Sequence, residues 1–361
     1  MNRTPSLSIL VPAYNVRHYV GDCLAAILGQ LQAQHELIVI DDGSTDGTAA
    51  LLRQLRADHG GDNFTLIEQS NQGISCARNA AVQAARGDYL VFIDSDDLLL
   101  PGALAAIDGA IAQWQPDAIA VDFRMWHPDQ PAKNRTVRCG YQADTLITDR
   151  DTILKVFFAD RDMYVWAKII KRAIYGQLAM PLFPPGRVFE DVAVVPQLLN
   201  LCASLVYLPL PLLDYRQHPV SITRAISERW CMDFAAALLP VKQQFQRHAV
   251  SASVRLHFDV AVCYFYVAVV KNSYQLPAAV GRRVRAAIRA RLLEGLFNDY
   301  RDVLRAMEDG TLLTNDAASD RAHARQIRAA INGSLVFHWS QTINRKIKLW
   351  RRMRATRALA G

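Results

Sequence analysis

Tyr89-Leu90-Val91-Phe92-Ile93-Asp94-Ser95-Asp96-Asp97 decides the fold of this chain. Its unbroken apolar half has the length and composition of a strand buried on both faces, as in a parallel sheet. The carboxylates that follow repel one another unless something positive neutralises them. A divalent cation with oxygen ligands, Mg²⁺ or Mn²⁺, is one such group, and it commonly shares its remaining positions with substrate phosphates. Ligands of open parallel sheets bind outside the carboxyl ends of the strands, which is where this tetrad stands. On these residues alone, an acidic turn with Asp97 capping the next helix weighs about the same.

The flanking sequence supplies the rest of the sheet. Residues 7–11, 36–40 and 64–68 read as strands, and 20–31, 48–55 and 74–86 as helices, with Ser44 or Thr45 capping the second. Regular alternation of this kind predicts an α/β fold with a mainly parallel, doubly wound sheet. Right-handed crossovers bring the loops after the first, second and fourth strands to one edge. A helix at 101–114 and a strand at 117–123 follow, then a polar, proline-bearing stretch at 125–141. Helices are expected at 151–158, 165–175 and 188–201. Beyond 227 the pattern is helical, with Val284, Ile288, Leu292, Leu296, Tyr300 and Leu304 at helical spacing. Three regions result: 1–226, a helical 227–334, and a tail at 335–361.

The sequence has 361 residues, 51% of them hydrophobic, with a mean hydropathy of +0.03. That suits a globular protein with one large α/β domain and an appendage. Its six cysteines show no C-x-x-C spacing, which suggests neither a zinc site nor a disulfide framework and favours a reducing, cytoplasmic setting. The apolar stretch behind Met1 is broken by Pro12 and Asn15, unlike a secretory leader. The longest apolar run, 260–270, is too short to cross a bilayer and reads as a buried helix.

Charge is unevenly placed. Ten of the 41 Lys and Arg fall from Arg321 onward, where there is no Asp or Glu, so the remaining 31 face 34 acids. Basicity therefore belongs to the tail. There Val336, Trp339, Ile343, Ile347, Trp350 and Met353 follow three- and four-residue steps, with basic residues between them. Two readings stay open: a helix lying on an anionic membrane surface through 336–357, and a terminal helix docked on the helical region. No nucleic acid is expected, for want of a recognition motif.

Three further motifs sit at the predicted strand ends. In Val11-Pro12-Ala13-Tyr14-Asn15, Pro12 ends a strand and Tyr14 offers a flat face on which a nucleobase stacks. In Asp41-Asp42-Gly43-Ser44-Thr45-Asp46-Gly47-Thr48, either Asp41 or Asp42 can accept from a base N–H. In Asn71-Gln72-Gly73-Ile74-Ser75-Cys76-Ala77-Arg78-Asn79, Arg78 can approach a phosphate or a base from a helix. Taken singly, each is more often a turn or a cap than a site.

In this order, and followed by Trp166-Ala167-Lys168, Phe189-Glu190-Asp191 and Tyr215-Arg216-Gln217-His218-Pro219-Val220-Ser221-Ile222-Thr223, the series resembles the family 2 glycosyltransferases with the GT-A fold. The resemblance covers roughly residues 6–224 and is nearly silent about the sugar. It implies a nucleotide-sugar donor, usually a UDP-sugar, with Pro12, Ala13 and Tyr14 lining the uracil, Asp42 or Asp41 on its N–H, and Arg78 nearby. Asp94, with Ser95 beside it, faces the ribose, and Asp96 with Asp97 holds Mn²⁺ or Mg²⁺ against the diphosphate, offsetting charge on the departing UDP. Asp191 matches the family's general base and Glu190 orients the acceptor, in a single displacement that inverts the anomeric centre. Charge at a helix N-terminus is the competing account of Glu190 and Asp191. His218 is a candidate metal ligand, and Arg216 and Lys168 are candidate diphosphate contacts. His18, His35, His59 and His127 have no partner pattern and read as surface or loop residues. The implied acceptor is a glycan or a lipid-linked glycan in cell-surface polysaccharide assembly, at the inner face of the cytoplasmic membrane.

Two rivals stand beside this reading. A nucleotidyltransferase would bring a glycine-rich basic loop after the first strand, where this chain has Pro-Ala-Tyr-Asn. A catalytically silent scaffold would have no need of both the 94–97 carboxylates and Asp191.

Overall fold

The computed structural model describes residues 5–217, 226–312 and 317–358, with side chains up to 345 and at 347 in the last stretch. The chain divides into two compact units, 1–219 and 220–361.

The first unit is built on a ten-stranded sheet. Strands β1 (Leu7–Ala13), β2 (His35–Asp41) and β4 (Tyr89–Phe92) are buried along their whole length, as their apolar runs require. Strand β3 (Phe64–Glu68) is more open, and it lies at the edge of the sheet. These four pair in parallel in the order β3-β2-β1-β4. Helices α1 (Val20–Leu28), α2 (Thr48–His59) and α3 (Ile74–Ala84) connect them. Past β4 the order continues β9-β6-β10-β5, where β5 is Leu98–Leu99, β6 Ala118–Trp126, β9 Lys168–Lys171 and β10 Leu205–Arg216. Short strands β7 (Arg135–Val137) and β8 (Leu146–Ile147) pair with β6 and β10. Helices α4 (Ala103–Trp114), α5 (Arg150–Asp160), α6 (Arg172–Tyr175) and α7 (Glu190–Leu201) complete the unit.

Two elements differ from the sequence expectation. Residues 165–175, expected as one helix, form a 3-10 turn, strand β9 and a single helical turn. Ile169 and Ile170 are both buried because β9 slots antiparallel between β4 and β6, so the pairing of two sheet faces overrides a helical reading. Strand β10 had no strand signal in the sequence because Pro209 and Pro211 interrupt it. The register shifts around Pro211 absorb the missing donor as an irregularity in the ladder with β6. A smaller correction concerns α2: neither Ser44 nor Thr45 caps it, and Asp46 Oδ1 instead accepts from Thr48 N at 2.9 Å. His35 is no surface residue either; it is buried, with Nε2 2.9 Å from Asp108.

The second unit is helical: α8 (Glu228–Ala236), α9 (Leu239–Arg247), α10 (Ala252–Ser273), α11 (Ala278–Gly295), α12 (Tyr300–Asp309), α13 (Ala317–Ile331) and α14 (Leu335–Ala358). The spacing from Val284 to Leu304 is shared by two helices, broken between Gly295 and Tyr300. By length and composition α10 is able to span a membrane, and 67% of its most apolar window is buried. It is the central helix of this unit, packed on α8, α11, α12 and α13.

Candidate active site

Loops at the carboxyl ends of β1, β2 and β4 meet as the sheet topology demands. The first two are laced together: Asn15 Oδ1 accepts from Thr45 N at 2.8 Å, Asn15 N donates to Ser44 Oγ at 3.0 Å, and Arg17 N donates to Asp46 Oδ2 at 3.1 Å. Gly43 has φ of +74°, and a Cβ there would lie 2.7 Å from Asn71 N, so only glycine permits the turn. Pro12 and Ala13 are buried in β1, and Tyr14 beyond them is 48% exposed, its ring free to take a planar ligand.

The two acids after β2 have different duties. Asp42 accepts from Gln69 Nε2 at 2.7 Å, Gln72 N at 3.0 Å and Gly73 N at 2.7 Å, and so holds the loop that leads into α3. Asp41 accepts only from Ser44 N at 3.3 Å through Oδ2, and its Oδ1 is buried with no partner among the described residues. Of the pair, Asp41 has the acceptor to offer.

Arg78 rises from α3 into the space between β4 and α7. Its Nη2 donates to Asp94 Oδ1 at 2.8 Å and its Nη1 to Glu190 Oε1, while the guanidinium lies 5.8 Å from the Phe92 ring and 5.9 Å from that of Phe183. Burial works against its charge, but Asp94, Glu190 and Asp191 outweigh that and hold its pKa above the ordinary value. Arg78 was expected to touch phosphate or base. Both of its terminal nitrogens are taken by carboxylates, and it acts as the counter-charge of the site.

Glu190 and Asp191 open α7, after a left-handed Phe189 with φ of +64°. Glu190 is buried against Arg78. Asp191 is half-buried and accepts from Val192 N at 2.8 Å. Burial and then the neighbouring Glu190 push its pKa up to about 7, against the pull of Arg78. An acid so tuned exchanges a proton near neutral pH, which general-base chemistry requires.

On the other side stands the tetrad. Ser95 is buried and Asp96 half-exposed. Asp97 is fully buried: Oδ1 accepts from Arg216 N at 2.7 Å, and Oδ2 has no partner among the described residues. Burial, then Asp96 and Asp94, hold its pKa well above the usual carboxylate range. Arg216 donates from Nε to Asp96 O at 2.7 Å and lies between Tyr19 and Trp126, 5.0 and 4.3 Å from their rings. Its buried Nη2 has no partner among the described residues. The orphaned Asp97 oxygen and the carboxylate of Asp96 fit a hard divalent cation. No three metal-ligating side chains converge among the described residues. His218 lies outside the described residues.

The glycosyl transferase family 2 model matches residues 8–173, a stretch that includes the loops after β1, β2 and β4. This stretch is a family 2 glycosyltransferase domain. Over 231 residues the chain is 26% identical to Glycosyltransferase GlyA of Streptococcus pneumoniae serotype 4, an alignment covering 62% of this chain and 32% of that protein. It is 26% identical over 230 residues to the putative glycosyltransferase EpsH of Bacillus subtilis, covering 63% of this chain and 65% of the relative. Over 104 residues it is 41% identical to the chondroitin synthase of Escherichia coli, 29% of this chain and 15% of that one. The alignments thus span less than two thirds of each of these relatives. In fold, the chain is similar to S. aureus TarS 1–349 in complex with UDP-GlcNAc, with a TM-score of 0.54 and 16% identity, covering 84% of this chain and 92% of that one. Its sheet is a GT-A sheet.

Just past the matched stretch, Glu190 and Asp191 stand at the start of α7, and an aromatic group lies between them and the tetrad. Tyr164 stacks on Trp166 at 4.6 Å and 16°, and both approach Tyr215, at 5.8 and 5.2 Å. Burial raises the Tyr164 hydroxyl to about 12, with the charges of Asp162 and Asp191 adding to it. Burial likewise raises Tyr215, which also feels Tyr164 and the charges of Asp97, Asp94 and Asp96. The group therefore reaches from one set of acids to the other. Tyr164 was missed in the sequence, though it stands two residues before the noted Trp166. Lys168, expected at the diphosphate, is a core residue: it is 2% exposed, with Nζ 5.9 Å from the Phe157 ring and its charge pulling on the carboxyl of Asp162. The antiparallel course of β9 explains this, because Lys168 is a paired strand residue opposite Ala120.

Proposed function

We propose that the chain transfers a sugar from a nucleotide-diphosphate donor, a UDP-sugar, to a hydroxyl of a glycan or lipid-linked acceptor in cell-surface polysaccharide assembly. The observation that carries this reading is Asp191, a half-buried carboxylate with its pKa raised to about 7 beside an acid that Arg78 already neutralises. Asp191 takes the proton of the acceptor hydroxyl as that oxygen attacks the anomeric carbon from the face opposite the diphosphate, and the configuration inverts. Glu190, fixed by Arg78, borders the acceptor. Asp41 accepts from the base, Tyr14 stacks on it, and Asp94 borders the ribose. Asp96 and Asp97 would hold a divalent cation, Mn²⁺ or Mg²⁺, and that ion supplies Lewis-acid stabilisation of the departing nucleotide. Arg216 adds positive charge on the same side.

The relatives support the sugar chemistry through their names, and the TarS complex supports the UDP-sugar through its ligand. A thermal-shift panel of nucleotides and nucleotide-sugars, with and without Mn²⁺, tests the donor. UDP that stabilises the protein only with metal is the expected result. No shift with any nucleoside diphosphate, with or without metal, would defeat the proposal.

A further inference from the structure

Helix α14 packs on the rest of the second unit through a mixed polar and apolar face. Phe337 is buried, His338 meets the Tyr274 hydroxyl, and Gln341 and Asn344 line a cleft of about 630 Å³ shared with Asn272 and Gln326. Large apolar side chains at the start of the helix face outward: Leu335 is 84% exposed, Val336 76% and Trp339 70%, while Ile347 borders the cleft. Leu335, Val336 and Trp339 adjoin within about one helical turn, so they form a patch and not a scatter of exposed side chains. A helix of a globular protein ordinarily turns such a patch inward. Here three large apolar side chains are turned outward.

We infer that this outward face of α14 lies in the interface of an anionic lipid bilayer. Charge selects the occupant. From Arg321 onward there are ten Lys and Arg and no acid. A second copy docking by the same face would bring two such basic segments together, and like charges oppose that pairing. Nucleic acid would answer the charge but leave Leu335, Val336 and Trp339 without an apolar partner. An anionic bilayer satisfies both: acyl chains accept the patch, a Trp suits the headgroup boundary, and the phosphates accept the flanking charge. This inference rests on the second unit alone, so its failure and that of the transfer chemistry are distinguishable.

Vesicle co-sedimentation of the full chain tests it. With phosphatidylcholine vesicles containing roughly one third phosphatidylglycerol at low salt, binding should exceed that to pure phosphatidylcholine by about tenfold or more, and should fall as salt is raised. The triple variant Leu335→Ser, Val336→Ser, Trp339→Ser should lose roughly tenfold in binding with its melting temperature unchanged, since those side chains are exposed. Leu293→Ser, at a residue 48% exposed elsewhere in the unit, should bind as the wild type does. Three outcomes would overturn the inference: no binding to the anionic vesicles, equal binding by the triple variant, or light scattering showing a wild-type dimer that the variant abolishes.

Discussion

The turn after β4 and the start of α7 both crowd carboxylates, and they resolve the crowding in different ways. At the turn, Asp97 is held by the backbone amide of Arg216, whose guanidinium is kept between two aromatic rings and bonds a carbonyl. At α7, a buried guanidinium takes Glu190, and among the described residues Asp191 accepts a hydrogen bond from an amide of its own helix alone. The first arrangement stores negative charge that a cation can answer. The second neutralises one acid so that its neighbour can exchange a proton. Adjacent acids thus acquire separate duties through their partners, and Arg78 joins the two regions by holding Asp94 as well.

Removing the proton acceptor should show the difference most strongly. Asp191→Asn is expected to lower kcat by about 10²–10⁴ while leaving the metal-dependent stabilisation by UDP intact. Unchanged turnover would show that the acid at α7 has no chemical part. Next comes the bridge: Arg78→Met strands Asp94 and Glu190 together and should cost about 3–5 kcal/mol in denaturant unfolding. A loss below about 1 kcal/mol would mean the two regions are not joined through it.

The pH profile sharpens the same contrast. Because a base acts only when ionised, turnover should rise through about pH 7, the value to which Asp191 is raised. Below about pH 6 it should fall near tenfold per unit, and a flat profile there would break the assignment. The smallest effects separate the acids of the nucleotide edge. Asp42→Asn should destabilise the fold by about 1–3 kcal/mol, since its carboxylate binds three groups of the loop into α3. Asp41→Asn should leave stability nearly unchanged and weaken uridine-nucleotide affinity by roughly tenfold, and the reverse pattern would exchange their roles.

The first half of the sheet was legible because each strand there is an apolar run followed by turn chemistry, and every connection is a helix with its own periodicity. Asp94 and Asp96 stood out because crowded carboxylates at a strand end repel one another, and Asp191 because the upstream motifs outweighed its ordinary place at a helix N-terminus. What the sequence hid depends on partners distant along the chain. Lys168-Ile169-Ile170-Lys171 is too short for its period to show, and only the gap between β4 and β6 makes it a strand. Pro209 and Pro211 masked β10, whose irregular ladder accommodates them. Arg78 carried no sign that Glu190, 112 residues later, would claim it. The division of labour between Asp41 and Asp42 is likewise a matter of which amides reach them.

Strand β9 runs against both of its neighbours. In a sheet of uniform polarity, only the loop leaving a strand reaches the ligand-binding edge. A reversed strand delivers the loop that enters it, and here that loop brings Tyr164 and Trp166. The edge beside the tetrad is therefore written by segments exiting β1, β2 and β4, and the facing wall by a segment arriving from the far side of the sheet. Lengthening or exchanging residues between β6 and β9 would reshape that wall and leave the other segments' scaffold in place. One inverted strand gives this fold two independently editable sides.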